Sequence, residues 1–174
     1  VRHESLEEFA VGRTDKPPAY DVTITNAPFC TRTGGVARLH KPEMRSADQY
    51  FIDTSLDQTR EGGIVAMVVH SGVMGHKNTS AQEFRERMLA RAEVVDSYRL
   101  PGEAFAHAHT SVVSDVIILR KRPAVVEKTL LKAQRDGELE SVMGAFTAYD
   151  KELVSGSYFD KNPQRILGKA LTAD

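Results

Sequence analysis

The sequence predicts an α/β protein built around a mainly parallel β-sheet. Four runs of β-branched and apolar residues have the length of strands, and segments with helical spacing of apolar residues lie among them. Strands that alternate with helices are typical of parallel sheets, because the helices form the crossover connections. Glycine and proline clusters separate the segments, which makes the element boundaries readable.

The first predicted strand covers residues 20–25 (YDVTIT) and ends at Asn26-Ala27-Pro28. A helix is predicted over residues 46–60, with Ser46 as its N-cap and Glu61-Gly62-Gly63 as its stop. Residues 64–69 (IVAMVV) are a continuous apolar run, which predicts a central strand covered on both faces.

The second half continues the alternation. A helix capped by Thr79 or Ser80 is predicted to reach residue 92, followed by strands over residues 94–99 and 112–119. Residues 124–153 have a helical pattern that glycines interrupt, and the tail over residues 158–168 is predicted to be irregular.

The composition excludes several classes of function. The 174 residues carry a net charge of −1, which excludes a basic field over the whole chain but not a local basic patch. The single cysteine, Cys30, excludes an intramolecular disulfide and a cysteine-rich zinc site, and predicts a reducing, cytoplasmic location. No apolar run has the length of a membrane-spanning helix, so no membrane partner is expected.

The end of the first strand is the most informative place for chemistry. Ligands bind at the carboxyl ends of strands in open parallel sheets. Asn26 offers an acceptor and a donor there, Pro28 restrains the backbone, and Phe29 offers a flat face for stacking. These groups suit a planar amine. The alternative is an ordinary Asn turn with Phe29 packed in the core.

Asn26-Ala27-Pro28-Phe29 resembles the Asn-Pro-Pro-Phe/Tyr signature of adenine-N6 DNA methyltransferases. Residues 60–74, 84–105 and 110–122 are similar, in the same order, to segments of the type I modification subunits of that family. The tail over residues 158–168 is similar to the large helicase-fused methyltransferases of phages and mobile elements.

The resemblance implies a Rossmann-like fold that depends on S-adenosylmethionine. It implies a partial fold without the N-terminal half that carries the cofactor loop. Its strands are expected in sequence order, mostly parallel, with the last one antiparallel to its neighbours. Residues 1–123 are expected to form the C-terminal part of the catalytic domain, and residues 124–174 a helical extension packed on it.

The resemblance also gives each residue a role. The Asn26 side chain and the Ala27 carbonyl would accept hydrogen bonds from the N6 amine of a flipped adenine. Phe29 would stack on the base, and Phe105 would be a second aromatic against it. Glu4 would meet the cofactor. The DNA contacts are expected at Lys77, His107 and His109, and no metal is expected.

Two departures from the family shape the expected function. Ala27 replaces the first proline of the signature, and no glycine-rich cofactor loop resembles that of the family. The chain is therefore expected to be the catalytic-motif fragment of a larger methyltransferase, inactive alone, with DNA and the rest of the parent polypeptide as partners. An exposed sheet edge predicts a homo-oligomer as well.

Two alternatives remain from the sequence. One is a catalytically degenerate module that binds DNA or a protein partner, which the two departures favour. The other keeps the fold but methylates RNA or a protein glutamine amide, since related signatures serve both substrates.

Overall fold

Four strands form one mixed sheet in the computed structural model, which describes residues 3–33, 40–108, 112–142 and 148–168. The strands are β1 (Tyr20–Asn26), β2 (Thr59–His70), β3 (Ala92–Leu100) and β4 (Ser114–Lys121). β1 and β2 are parallel, whereas β4 is antiparallel to both β2 and β3. The predicted mostly parallel sheet with one antiparallel strand is thus confirmed.

The predicted order of the strands is wrong at one point. The order is β1-β2-β4-β3, so the antiparallel strand lies inside the sheet instead of at its end. Burial explains this placement. β4 places Ile117 and Leu119 in the core with no exposed surface, whereas β3 carries the charged residues Glu93 and Asp96 and suits an edge.

The helices are α1 (Leu6–Val11), α2 (Ala47–Gln58), α3 (Gly72–Gly75), α4 (Thr79–Arg91), α5 (Ala124–Arg135), α6 (Leu139–Val142), α7 (Ala148–Ser155) and α8 (Tyr158–Lys161), with 3-10 helices over Gly102–Ala108 and Pro163–Arg165. Among the helices, α2 packs against β2 and α4 against β3.

Helix caps follow local hydrogen bonding. Ser46 caps α2 as predicted, because its hydroxyl accepts the N–H of Gln49. The cap of α4 is Asn78 instead of Thr79 or Ser80, because the Asn78 carboxamide oxygen accepts the N–H of Ala81 at 2.9 Å.

The glycine pair after α2 does not stop the helix as predicted. β2 already begins at Thr59, and the pairing register with β1 shifts between Tyr20 and Val22, where the glycines form a bulge. A Cβ on Gly63 would lie 2.8 Å from the Asp21 carbonyl oxygen, so this close approach requires glycine.

The core lies between the sheet and the layer of α2 and α4. Val65, Met67 and Val69 of β2 are at most 1% exposed on this face. On the opposite face of β2, Ile64, Ala66 and Val68 are only half-buried, and on β1 Val22 is 54% and Ile24 is 78% exposed. The prediction of a strand covered on both faces is therefore wrong for the described residues, which cover one face only.

The tail, predicted to be irregular, has only short pieces of regular structure, namely α8 and the 3-10 helix over Pro163–Arg165, but it is packed against the fold. Tyr158 and Phe159 of α8 are buried, and the N–H of Leu167 donates to the Arg99 carbonyl oxygen at 2.8 Å. Ile166 pairs with Arg99 as an isolated parallel bridge. The tail thereby covers the outer edge of β3.

Candidate active site

Asn26 lies at the carboxyl end of β1 with its side chain exposed. The β1–β2 ladder continues one residue further, because the N–H of Ala27 donates to the Val68 carbonyl oxygen at 3.0 Å. Ala27 is 2% exposed. A proline at this position would have no N–H to donate, so alanine exchanges the rigidity of the ring for a hydrogen bond.

Phe29 is half-buried in the middle of a row of four rings. Its ring meets the ring of Phe105 edge-on at 6.4 Å and the ring of His70 at 6.1 Å. The His76 ring follows at 6.2 Å from that of His70. The structure thus brings together Phe29 and Phe105, the two aromatic residues expected at the base, while Pro28 stays exposed.

The segment after Phe29 is held by one arginine. The Arg32 guanidinium lies 3.5 Å from the centre of the Tyr50 ring, a cation–π contact. It also donates to the carbonyl oxygens of His40 and Met44 at 2.9 and 2.7 Å, and to the Glu7 carboxylate at 3.1 Å. These contacts tie the segment to α1 and α2.

His70 is a site residue that the sequence interpretation missed. It ends β2, directly beside the end of β1, and the N–H of Gly72 donates to its Nδ1 at 3.0 Å. When the ring is neutral, its proton therefore lies on Nε2. The position of His70 in the sequence could have identified it, because a polar residue at the carboxyl end of a parallel strand is a candidate ligand contact.

Asp48, in the first turn of α2, is the second missed residue. It is 7% exposed and lies near the backbone of His70. Burial raises the pKa of Asp48 to about 6, and the nearby backbone N–H of His70 only partly offsets that effect. The sequence does not reveal that Asp48 is buried, because acidic residues are common in the first turn of a helix.

Asp115 of β4 is fully buried but paired. The Arg99 guanidinium donates to both of its carboxylate oxygens, at 2.8 and 3.1 Å. Burial raises the pKa of Asp115, and the Arg99 hydrogen bond opposes that effect. The Arg99 guanidinium also lies 4.3 Å from the centre of the Phe159 ring, so this pair joins the sheet to α8.

The other predicted contacts lie elsewhere. Glu4 is exposed, one residue before the Ser5 cap of α1. Lys77 is exposed and pairs with Asp160 at 3.0 Å. The backbone of His107 belongs to the 3-10 helix that carries Phe105, and His109 lies outside the described residues. The proposed cofactor and DNA roles of these residues stay predictions.

The described residues contain no group of three or more histidine, cysteine or acidic side chains arranged to hold a metal ion. None of their helices is long and apolar enough to cross a membrane.

The chain is similar to known proteins in sequence and in fold. A family model described as N-6 DNA Methylase matches residues 4–152. The Defense against restriction protein B of Escherichia phage P1 is 28% identical over 170 residues, which cover 96% of this chain and 7% of that protein.

Two solved structures share the fold. A chain of a type I restriction-modification system matches with a TM-score of 0.56 and 22% identity, over 70% of this chain and 24% of that chain. A modification subunit of a type I restriction enzyme from Vibrio vulnificus YJ016 matches with a TM-score of 0.55 and 20% identity, over 68% of this chain and 26% of its own. The chain thus spans about a quarter of each of these two solved chains and 7% of the phage protein.

Proposed function

Because this chain belongs to the N-6 DNA methylase family, we propose that it forms the base-binding side of an S-adenosylmethionine-dependent enzyme that methylates the N6 amine of adenine in DNA. The observation that carries this proposal is the end of β1. Asn26 is exposed there, three residues before Phe29, and the centres of the Phe29 and Phe105 rings are 6.4 Å apart.

The chemistry follows from the acceptors at this position. The carboxamide oxygen of Asn26 and the carbonyl oxygen of Ala27 each accept one N–H of the adenine N6 amine. These two hydrogen bonds draw electron density onto the nitrogen and fix the direction of its lone pair. Phe29 stacks on the base, and Phe105 closes the pocket from its side. S-adenosylmethionine supplies the methyl group when it is bound.

The described residues provide groups that could bind the base, but they leave the sheet incomplete beside β1. β1 has no strand partner on its outer edge within the described part of the chain, and Val22 and Ile24 leave an apolar face beside that edge. Parallel sheets are normally covered on both faces. We therefore propose that the remainder of a longer protein adds strands at β1 and carries the cofactor site.

Methyl transfer tests this proposal directly. This chain would be combined with the cofactor-binding part of the longer protein, and transfer of a tritiated methyl group from S-adenosylmethionine to adenine-containing duplex DNA would be measured. We expect transfer with the wild-type chain. With Asn26→Ala we expect a loss of about 100-fold or more in rate, since one positioned acceptor is removed. Unchanged transfer by Asn26→Ala would overturn the role of Asn26.

Calorimetric titration of the chain alone separates the two parts of the proposal. We expect no heat with S-adenosylmethionine and weak binding of adenine-containing DNA. Binding of the cofactor by this chain alone would show that the cofactor site is not supplied from outside, while the methylation proposal would still stand.

The second candidate is a degenerate module that binds DNA or a protein without catalysis. Ala27 favours it, because the rigidity of a proline is missing. The hydrogen bond from Ala27 to Val68 restores part of that rigidity and weakens this argument. DNA binding that is unchanged by Asn26→Ala, with no transfer from the complete protein, would support the degenerate module.

A further inference from the structure

A separate cavity of about 240 Å³ lies beside His70, and Phe29 is not among the residues that line it. The amino-terminal ends of α2 and α4 both open into it, and Ser46, Asn78 and Ser80 line it from these ends. His70, at the end of β2, and His76, directly after α3, also line it. None of these residues belongs to the proposed adenine pocket of Asn26, Ala27, Phe29 and Phe105.

Asp48 places an unused acceptor in this cavity. The residue is 7% exposed and lines the cavity, and its Oδ1 has no hydrogen-bond partner among the described residues. A buried oxygen without a partner costs stability unless a bound molecule supplies a donor. Buried carboxyl groups with a raised pKa are also concentrated at functional sites. The cavity is therefore built to receive a hydrogen-bond donor.

The surroundings restrict the charge and shape of that donor. The Asp48 carboxylate repels an anion. The positive ends of two long helices, α2 and α4, oppose a full positive charge. A neutral N–H or O–H group is neither repelled by the carboxylate nor opposed by the positive helix ends. The rings of His70 and His76 offer flat surfaces, and the cavity is smaller than the roughly 300 Å³ typical of pockets for drug-sized ligands.

A nucleobase with an exocyclic amine meets these conditions. We propose that the cavity binds the amine-bearing edge of adenine or cytosine from the DNA substrate, with the exocyclic N–H donating to Oδ1 of Asp48. This base is a different one from the target that stacks on Phe29. The inference rests on the proposed function, because it takes DNA to be the ligand at the carboxyl ends of β1 and β2.

The rings over this cavity depend on Gly72. A Cβ at this position would lie 2.6 Å from Cε1 of His76 and 2.9 Å from Nδ1 of His70. Gly72→Ala therefore displaces both rings without removing any polar group, which makes it a shape variant to compare with changes at Asp48.

The test uses free nucleosides and the wild-type chain. Adenosine, cytidine, uridine and N6,N6-dimethyladenosine are titrated while the ring signals of His70 and His76 are followed by 1H–13C NMR. Dimethyladenosine keeps the purine ring but has no exocyclic N–H. We expect adenosine and cytidine to bind roughly tenfold more tightly than uridine and dimethyladenosine. Equal binding of adenosine and dimethyladenosine, or no shift at His76 with any nucleoside, would overturn the proposal.

Two variants complete the test. Asp48→Asn keeps an acceptor for the His70 N–H and turns an NH2 group toward the cavity, so the preference should reverse in favour of uridine. Asn26→Ala should leave the adenosine-induced shift at His76 unchanged. If Asn26→Ala removes that shift, the cavity is part of the target pocket and the second-base proposal fails. The methyl-transfer result with Asn26→Ala judges the proposed function separately.

Discussion

Two buried aspartates on α2 show how neighbours decide the behaviour of the same side chain. Asp48 and Asp53 are 7% and 8% exposed. For Asp48, burial raises the pKa to about 6. For Asp53, the effect of burial is outweighed by Arg91, which donates at 2.5 Å, and by Lys41, so its pKa falls to about 2. Asp48 therefore reduces stability at neutral pH, whereas Asp53 contributes to it.

Asp48→Asn is expected to stabilise the chain at pH 7. The folded pKa of about 6 lies above the unfolded value of 3.8, so the ionisation penalty is present above pH 6 and absent below about pH 4. The gain should be on the order of 2 kcal/mol at pH 7. Urea denaturation from pH 4 to 8 measures it. A gain that does not shrink toward pH 4 would contradict this origin.

Asp53→Asn is expected to have the opposite effect. It leaves Lys41 and Arg91 with one carboxylate fewer, at a cost of about 3 kcal/mol at pH 7. Because the folded pKa is lowered, this contribution is present above the unfolded value of 3.8 and is lost as the pH falls toward 2. The same denaturation series compares the two variants. Equal stabilities of Asp53→Asn and wild type at pH 7 would rule the ion pairs out as a source of stability.

At the scale of elements, a buried arginine joins α7 to the layer of α2 and α4. Arg85 of α4 has no exposed surface and donates to the carbonyl oxygens of Val73, His76 and Val154, at distances of 2.6 to 3.1 Å. Burial lowers its pKa to about 10, so it remains protonated at neutral pH. The bonds connect α4 to the α3 turn and to α7. The division of the chain at residue 123 stays a prediction.

Arg85→Met is expected to separate α7 from this layer. Three carbonyl oxygens lose their donors, in one buried and two partly buried places, which should cost on the order of 3 kcal/mol. Thermal and urea denaturation measure the total loss of stability, and hydrogen exchange should show the greatest loss of protection in α7. The control is Lys77→Ala, which removes the exposed pair with Asp160 and should leave stability unchanged. The same stability for both variants would contradict the role of Arg85.

At the scale of the whole molecule, one sheet face and one sheet edge remain open in the described part of the chain. The tail covers the edge of β3 through Ile166 and Leu167, whereas the edge of β1 lies beside the exposed Val22 and Ile24. An open edge with an apolar face is a surface for association. We propose that a second copy occupies it when the rest of a longer protein is not there.

Ile24→Lys is expected to abolish this association. Ile24 is 78% exposed, so the charge costs the isolated fold little but opposes burial of the face. Size-exclusion chromatography with light scattering should show concentration-dependent growth for wild type and a monomer for Ile24→Lys. Val125→Lys, at a 79% exposed position on α5, is the matched control and should behave as wild type. A wild-type chain that is monomeric at every concentration would contradict the proposal.

Local patterns were sufficient for much of the fold. The strand that ends at Asn26, the Ser46 cap and the helix over residues 79–91 follow from β-branched runs, capping side chains and helical spacing, which act between near neighbours in sequence. The signature at residues 26–29 pointed to the family in the same way. These features are readable because the interactions that cause them span only a few residues.

Tertiary structure alone decided the rest. The insertion of β4 between β2 and β3, the packing of the tail against β3 and the uncovered sheet face depend on which surfaces meet across long stretches of chain. Asp48 and His70 are ordinary polar residues in the sequence. They become a candidate site only because α2 and β2 enclose one beside the other, and burial, which no local pattern records, gives a polar group its altered chemistry.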